Sequence, residues 1–160
     1  MSLSIIIPCR DEEENISLTI YKLKKNLSKK IKNYEIIIVN DFSEDNTLKV
    51  WKKFSSKKII IKNNLKKGLG GAINLGIRSS KKKYVTIMMA DLSDSLSDLV
   101  KYYKTIDHED LDAVMGSRFL KNSKISDYPV NKLILNRIFN YFVKIFFFSD
   151  YNDFTNAFKI

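Results

Sequence analysis

The sequence predicts a three-layer α/β/α fold with a mostly parallel sheet. Short apolar runs alternate along the chain with segments whose apolar residues recur at helical spacing. Because the strand runs are continuously apolar, the sheet is expected to be covered on both faces, with right-handed crossovers placing helices on each side. The chain has 160 residues, of which 44% are hydrophobic, so it can form a core of its own.

The predicted strands are short apolar runs that polar or charged residues interrupt. They are expected at residues 3–8, 34–39, 57–62, 84–89 and 113–115. Runs of about four to eight residues suit buried strands and are too short for helices. The order of strands and helices predicts successive βαβ units in one sheet.

Helices are predicted between the strands and after the last of them. Their apolar residues lie within 16–27, 48–54, 69–77, 96–106 and 131–148. Asp11, Ser43 and Ser95 are the expected caps of the first, second and fourth helices. The last helix is apolar almost all round, so core packing is expected. Exposed aromatic side chains there would instead indicate a contact with a membrane or a dimer partner.

Composition and charge limit the classes of function. The net charge of +10 favours an anionic partner, and one cysteine excludes a disulfide framework. The first eight residues lack the basic start of a signal peptide, and no apolar run reaches the roughly 20 residues of a membrane span. A cytoplasmic location is therefore expected.

Acidic side chains follow three of the predicted strands. Glu12 comes after the first strand, Asp41 after the second and Asp91 after the fourth. Ligands of parallel sheets bind at the carboxyl ends of strands, so these carboxylates are expected to meet at one edge. Their mutual repulsion would be relieved by a divalent cation or by donors on a ligand. Ordinary turn chemistry is the alternative, but it leaves Asp91 unexplained.

Six short motifs follow one another in the order of a known family. They are Pro8-Cys9-Arg10-Asp11-Glu12, residues 39–47, Lys67-Gly68-Leu69-Gly70-Gly71-Ala72, Met89-Ala90-Asp91-Leu92-Ser93, Gly116-Ser117-Arg118 and residues 153–159. Together they resemble the motifs of family 2 glycosyltransferases. The branch that they resemble most is that of dolichyl-phosphate mannosyltransferase and related polyprenyl-phosphate enzymes. Any one motif is weak, and the specificity comes from all of them in register.

The resemblance implies a nucleotide-diphospho-sugar transferase (GT-A, Rossmann-like) fold. It implies one catalytic domain over residues 1–160 that lacks the usual C-terminal part. The implied reaction is inverting transfer of a sugar from GDP-mannose or a UDP-sugar, with Mg²⁺ or Mn²⁺. The implied acceptor is a polyprenyl or dolichyl phosphate, or else a glycan. Peripheral contact with the inner face of a membrane would fit a lipid acceptor, and a homodimer is left open.

The resemblance also implies a set of donor-binding residues. The matching positions are Pro8, Arg10, Glu12, Asn40, Asp41, Lys67, Gly68, Ala90, Asp91 and Arg118. Asp41 would accept the ring N–H of the nucleotide base, and Glu12 would make a second nucleotide contact. Asp91 would be the metal ligand and a catalytic residue, because a carboxylate oxygen suits a hard cation.

The acceptor side is implied by later positions. Arg118 would pair with a phosphate through its forked guanidinium and belongs to the expected catalytic set. Lys132 and Arg137 match positions that hold a lipid phosphate. Asp153 is the acid expected to act as a general base, with a loop aspartate bonded to backbone as the alternative. An acceptor phosphate is already an anion and needs no base.

Met89 departs from the family pattern, because it stands where the first Asp of Asp-x-Asp is expected. A thioether offers no hard oxygen to Mg²⁺, so Asp94 or water would compensate, or the protein would work without metal. Two alternatives are kept, the first because of Met89 and the second because of the basic net charge. One is a nucleotide-sugar-binding fragment without turnover. The other is a basic nucleic-acid-binding domain, which no recognised motif supports; binding to nucleic acid is not expected.

Overall fold

The computed structural model describes residues 2–121, 123 and 128–160. The chain divides into two compact units, Met1–Val114 with Ile160 and Met115–Lys159. The first unit contains the parallel sheet, and the second contains the last helix. The prediction of one catalytic domain over residues 1–160 stays a prediction.

The first unit is built on a parallel sheet that, within the described residues, has four strands in the order β3-β2-β1-β4. The strands are β1 Leu3–Cys9, β2 Tyr34–Asn40, β3 Ile59–Asn63 and β4 Tyr84–Ile87. Central β1 pairs with β2 from Leu3↔Tyr34 to Cys9↔Asn40, and on its other side with β4. Every residue of β1 and β2 is buried. The predicted parallel sheet is therefore confirmed.

Helices cover both faces of this sheet. They are α1 Ile16–Lys30, α2 Thr47–Lys52, α3 Leu69–Ser79 and α4 Leu96–His108. α3 packs on β1 and β2, where Ile6, Ile37 and Val39 form a buried cluster with Ala72. Ile5 and Ile38 point to the other face by strand alternation and are fully buried as well. Both faces are thus covered, as predicted for a three-layer fold.

α3 approaches the sheet closely because it carries a glycine at the contact. A Cβ atom on Gly76 would collide with the side chain of Ile6. The absence of a side chain at this position lets the helix lie directly on β1.

The predicted fifth strand is wrong. In place of a parallel strand at residues 113–115, Met115 forms an isolated antiparallel bridge with Lys159. Ala113 and Met115 are exposed, so this short run buries too little apolar surface to extend the sheet. β4 also ends at Ile87, two residues earlier than predicted, although the Met88 N–H still donates to the carbonyl of Ile6 at 2.9 Å.

Two of the three predicted helix caps are wrong. α1 begins after Asn15 and α2 after Asn46, and neither residue caps its helix with a side chain among the described contacts. The predicted cap of α4 is confirmed, because Ser95 accepts a hydrogen bond from the N–H of Asp98 at 3.3 Å. Asp11 and Ser43 make contacts between loops instead.

The second unit contains α5, Val130–Phe146, whose predicted core packing is wrong. Its apolar side chains are largely exposed, and Asn140 is the residue that the helix buries. Within the described part of the chain, no helix is both long and apolar enough to cross a membrane. Residues 122 and 124–127 of the predicted loop between residues 122 and 129 lie outside the described residues.

Candidate functional site

The loops that carry Glu12, Asp41 and Asp91 leave the same edge of the sheet. Asp41 follows β2, and its N–H donates to the carbonyl of Cys9, the last residue of β1, at 2.8 Å. β4 runs parallel to β1 on the other side and leads into Asp91. The structure thus brings together the three strand ends that the sequence singled out. The individual roles of the residues stay predictions.

Hydrogen bonds tie the loop after β1 to the loop after β2. The N–H of Asp11 donates to Ser43 Oγ at 3.1 Å, and the N–H of Glu12 donates to Thr47 Oγ1 at 2.8 Å. In the other direction, the N–H of Glu44 donates to Asp11 Oδ1 at 2.7 Å. These side chains therefore join two loops that are more than thirty residues apart in sequence, and the loops are held as one rim.

Asp41 is buried and held from two sides. Both carboxylate oxygens accept from the N–H of Gly68, at 2.9 and 3.0 Å. The amide of Asn64 donates to Asp41 Oδ1 at 2.7 Å. Gly68 has a φ of +122°, a backbone conformation that favours glycine. The geometry fixes both the position of this carboxylate and the loop that leads into α3.

Asn64 is a site residue that the sequence analysis missed. Besides Asp41, its amide donates to the carbonyl of Lys66 at 2.6 Å, and its own N–H donates to the carbonyl of Asn40 at 2.8 Å. A Cβ on Gly71 would collide with the Lys66 carbonyl, so this glycine allows the tight loop. The only signal in the sequence was a polar pair, Asn63-Asn64, directly after a strand.

Asp91 and Asp94 lie together beyond β4. Asp91 is exposed, and its Oδ1 accepts from the N–H of Ser93 at 2.9 Å. Asp94 Oδ2 accepts from the N–H of Met89 at 2.9 Å. Burial, and secondarily the charge of Asp91, raise the pKa of Asp94 above its ordinary value. Ala90, directly before Asp91, is buried, and its carbonyl accepts from the hydroxyl of Thr19 on α1.

No group of three or more His, Cys, Asp or Glu side chains that could hold a metal ion occurs among the described residues. One or two carboxylates suffice for Mg²⁺ when substrate phosphates supply further oxygens. The exposed carboxylate of Asp91, with Asp94 nearby, fits that kind of site. The side chain of Met89 offers no oxygen to it.

The remaining residues expected to bind the donor differ in how exposed they are. Pro8 is buried and opposite Val39 in the sheet register. Arg10 is exposed, with its Nε 3.6 Å from a carboxylate oxygen of Asp11, and Lys67 is exposed. Glu12 Oε2 accepts from the side-chain amide of Asn15 at 2.8 Å.

Cys9 lies at the end of β1 and is 3% exposed. Burial, and then the negative charges of Glu12, Asp45 and Asp11, raise the pKa of its thiol far above the ordinary value. Reactivity depends on the thiolate, so the structure favours an inert core residue. We expect iodoacetamide to leave the native protein unmodified at pH 8 and to alkylate it in urea, as followed by intact mass. Rapid alkylation without denaturant would contradict this.

In the second unit, Arg118 forms a bidentate ion pair with Asp153. Arg118 Nε donates to Asp153 Oδ2 at 2.9 Å, and Arg118 Nη2 donates to Oδ1 at 2.7 Å. The backbone N–H of Arg118 also donates to Oδ2, and its Nη2 to Thr155 Oγ1, at 2.8 and 2.7 Å. Asp153 is fully buried, whereas the side chain of Arg118 is one quarter exposed.

The pair determines the protonation state of Asp153. Burial acts to raise the pKa of this carboxyl, but the hydrogen bonds and charge of Arg118 outweigh it and hold the pKa below its ordinary value. The hydrogen bond with Asp153 in turn raises the pKa of Arg118. Both carboxylate oxygens of Asp153 are therefore engaged with a cation, which is poor geometry for a base. Its role as general base stays a prediction.

Lys132 and Arg137, the two cations expected to hold an acceptor phosphate, lie on different sides of α5, and Arg137 lies near Arg118. The guanidinium carbon of Arg137 lies 4.7 Å from the centre of the Phe119 ring, and that of Arg118 lies 5.6 Å from the same ring. The structure therefore brings the two arginines together around Phe119. Lys132 is exposed and lies about 140° away from Arg137 around α5, as five residues at 100° each require.

The fold is that of the GT-A glycosyltransferases. It is similar to the crystal structure of S. aureus TarS 1-349, with a TM-score of 0.61 and 20% identity, over 80% of this chain and 39% of that one. It is also similar to mannosyltransferase PcManGT from Pyrobaculum calidifontis in complex with GDP-Man and Mn²⁺. That TM-score is 0.58 at 18% identity, over 72% of this chain and 35% of that one.

The chain belongs to glycosyl transferase family 2, whose family model matches residues 4–159. It is 29% identical to a dolichol-phosphate mannosyltransferase of Pyrococcus furiosus, over 86% of this chain and 39% of that protein. It is 31% identical to a dolichyl-phosphate beta-glucosyltransferase of Dictyostelium discoideum, over 90% of this chain and 47% of that protein. The chain thus spans less than half the length of these two relatives. The predicted family is confirmed.

Proposed function

We propose that this protein binds a nucleoside-diphosphate sugar at the edge formed by β1, β2 and β4, and transfers the sugar with inversion. The donor is GDP-mannose or a UDP-sugar. The observation that supports this most is Asp41, a buried carboxylate fixed at the end of β2 by Gly68 and Asn64. A carboxylate oxygen accepts more than one hydrogen bond, so Asp41 can also accept a ring N–H of the base.

A bound Mg²⁺ or Mn²⁺ is part of the proposal. Asp91 would hold the ion, and Asp94, in the same loop after β4, would be the second carboxylate near it. When bound, the ion would neutralise charge on the leaving diphosphate. The ion in the PcManGT complex supports divalent-metal use by a protein of this fold. The hydrogen bonds from Asp11 to Ser43 and from Glu12 to Thr47 would keep the nucleotide-binding edge of the sheet preformed.

The acceptor that we propose is a polyprenyl or dolichyl phosphate, as the names of the two relatives suggest. An oxygen of its phosphate would attack the anomeric carbon while the bond from that carbon to the diphosphate breaks, releasing the nucleoside diphosphate. The nucleophile is already an anion, so no proton has to be removed. A lipid acceptor would place the protein at the inner face of a membrane.

Arg118 and Asp153 have complementary roles in this proposal. Arg118 donates from Nε and Nη2 to Asp153 and Thr155, and Tyr128 is a further hydrogen-bond partner. These contacts orient the guanidinium and leave part of its five N–H donors for a phosphate. Asp153 then acts as a positioning residue that holds Arg118, with Arg137 as the neighbouring cation. This assignment uses the ion pair as it stands and requires no base.

The proposal is tested by a thermal-shift panel of UDP, GDP, UDP-sugars and GDP-mannose, each with and without Mn²⁺. A ligand at about a hundred times its Kd stabilises by about 2.7 kcal/mol, which is about 5–10 °C for a chain of this size. We expect at least one nucleoside diphosphate to raise the Tm. If none does so at millimolar concentration, the proposed function is wrong.

Met89→Asp tests the metal part of the proposal. The substitution adds a carboxylate at the position next to Ala90-Asp91, so the Mn²⁺-dependent part of the nucleotide shift should increase by several degrees. Met115→Asp, at an exposed methionine of the second unit, is the matched control and should not change the shift. An unchanged response of Met89→Asp would mean that Asp91 is not a metal ligand.

A nucleotide-sugar-binding protein without turnover is the second candidate, and Met89 is the observation that favours it. It predicts the same thermal shifts but no release of nucleoside diphosphate in the presence of a polyprenyl phosphate. Turnover by the parent chain or by Met89→Asp separates the two candidates.

A further inference from the structure

Apart from Asn131 in the first turn, one half of the surface of α5 is apolar and exposed. At 100° per residue, the apolar side chains of this face fall within an arc of about 180°. They are Val130, Ile134, Leu135, Ile138, Phe139, Tyr141, Phe142, Ile145 and Phe146, each at least half exposed. The face continues into Phe147 and Phe148, of which Phe148 is 96% exposed. An exposed patch of this extent usually marks an interaction surface.

The opposite side of α5 is fixed within its own unit. Asn140 is buried, and its amide donates to the Asn136 carbonyl at 2.7 Å and to Thr155 Oγ1 at 3.1 Å. Its Oδ1 accepts from the N–H of Phe154 at 2.6 Å. The helix is therefore held by its polar side, and this anchoring is what turns the apolar side outwards.

The charges on α5 indicate the partner. The helix has three cations, Lys132, Arg137 and Lys144, and no acidic residue. By helix geometry, Lys132 lies at one margin of the apolar arc, and Arg137 and Lys144 lie at the other. Two copies facing each other through this surface would bring cations against cations. An anionic bilayer surface would instead attract the cations and take up the apolar side chains.

A cavity of about 350 Å³ opens beside one margin of the face. It is lined by Arg137, Ile138, Asn140, Tyr141, Lys144 and Asn152. Arg137 and Lys144 lie at the same margin of the apolar arc and both line this cavity, so together they are suited to the phosphate of a lipid head group.

We propose that α5 docks the protein on an anionic membrane surface, lying in the plane of the bilayer with its apolar face down and Arg137 and Lys144 at head-group level. This inference deepens the proposed function. It rests on that function in one respect, namely that a lipid acceptor would bring the protein to a membrane. The surface itself is defined by exposure and charge.

The test is sedimentation of the full chain with vesicles of phosphatidylcholine, or of equal parts phosphatidylcholine and phosphatidylglycerol. We expect binding to the anionic vesicles that is much stronger than to the neutral ones and is weakened by salt. Phe142→Glu should lower the partition coefficient by about tenfold or more. Lys144→Gln should lower it by about fivefold.

Matched controls come from α1. Tyr21→Glu changes an exposed aromatic residue on a helix of the first unit, and Lys29→Gln removes an exposed lysine there. Neither should change vesicle binding by more than about twofold. All four variants change exposed or partly exposed helix side chains, and their Tm values should stay within a few degrees of the parent, which excludes misfolding as the cause of lost binding.

Absence of binding to either kind of vesicle, equal binding to both, or an unaffected Phe142→Glu would overturn the inference. A dimer in analytical ultracentrifugation that Phe142→Glu dissociates, without vesicle binding, would identify a second copy as the occupant and overturn it too. The nucleotide thermal shift is measured on the same samples. Vesicle binding without any nucleotide response would contradict the proposed function and support the membrane-binding surface. A nucleotide response without vesicle binding would support the proposed function and contradict the membrane-binding surface.

Discussion

Asp41→Asn is expected to remove most of the nucleotide-dependent rise in Tm, and Asp41→Ala to abolish it. Asn retains one carbonyl oxygen for the N–H of Gly68, but its NH₂ group would oppose the N–H of Asn64 or of a bound base. A hydrogen bond to a charged acceptor contributes about 1.5–3 kcal/mol, so the Kd for nucleotide should rise by about ten- to a hundredfold. Differential scanning fluorimetry over a nucleotide titration measures the change.

Both substitutions will also lower the Tm without ligand, because they leave buried donors without an acceptor. The matched control is Glu35→Gln. Glu35 is a buried carboxylate at the other end of β2, where Oε1 accepts from Ser4 Oγ and from the N–H of Lys81, both at 2.7 Å. It should lower the basal Tm and leave the nucleotide shift intact. If Asp41→Asn also keeps the full shift, Asp41 serves only to hold the Gly68 loop.

The sheet was predictable because β1 and β2 each contain three consecutive isoleucines in a short, mainly apolar run whose length excludes a helix. The failed fifth strand had only three residues, and nothing in Ala113-Val114-Met115 shows that the chain instead pairs Met115 with Lys159. Local sequence patterns thus predicted the fully buried strands correctly. They failed for a segment whose pairing partner is distant in the sequence.

The caps failed for a related reason. Asp11 has the spacing of a capping residue, but its carboxylate accepts from Glu44, thirty-three residues away. Such side-chain contacts between loops compete with local caps, and a sequence window contains only one of the two partners. Asn64 was missed in the same way, since its importance lies in its contact with Asp41. The expectation that ligands bind at the carboxyl ends of parallel strands identified the right edge of the sheet. It did not identify the hydrogen bonds that fix the loops at that edge.

α5 shows the limit of hydropathy. A helix that is apolar almost all round is ordinarily a core helix, yet here Asn140 faces the unit and Phe142 faces outwards. Composition gives the amount of apolar surface, whereas the contacts of one buried asparagine determine which side of the helix that surface occupies.

Asp153→Asn is expected to destabilise the protein at neutral pH by about 3 kcal/mol, because it leaves the partly buried guanidinium of Arg118 without its counter-ion. The pKa of Asp153 is lowered in the folded protein, so its ionisation contributes stability that is fully present above the unfolded pKa of about 3.9. That contribution is lost as the pH falls towards the folded pKa. The difference between parent and Asp153→Asn should therefore be constant from pH 7 to 5 and shrink below about pH 4. Urea unfolding at several pH values measures it.

The control is Asp150→Asn, which changes an exposed aspartate of the same unit and should be nearly neutral at every pH. Kinetics then separate positioning from proton transfer. If Asp153 positions Arg118, Asp153→Asn should raise the KM for the proposed acceptor, polyprenyl phosphate, more than it lowers kcat. Arg118→Gln should have the same effect, and combining the two substitutions should add nothing further. If Asp153 is a general base, kcat should fall by about a hundredfold or more with KM unchanged. The bidentate contact between Arg118 and a fully buried carboxylate favours the first result, because a base must expose an oxygen to the proton that it takes.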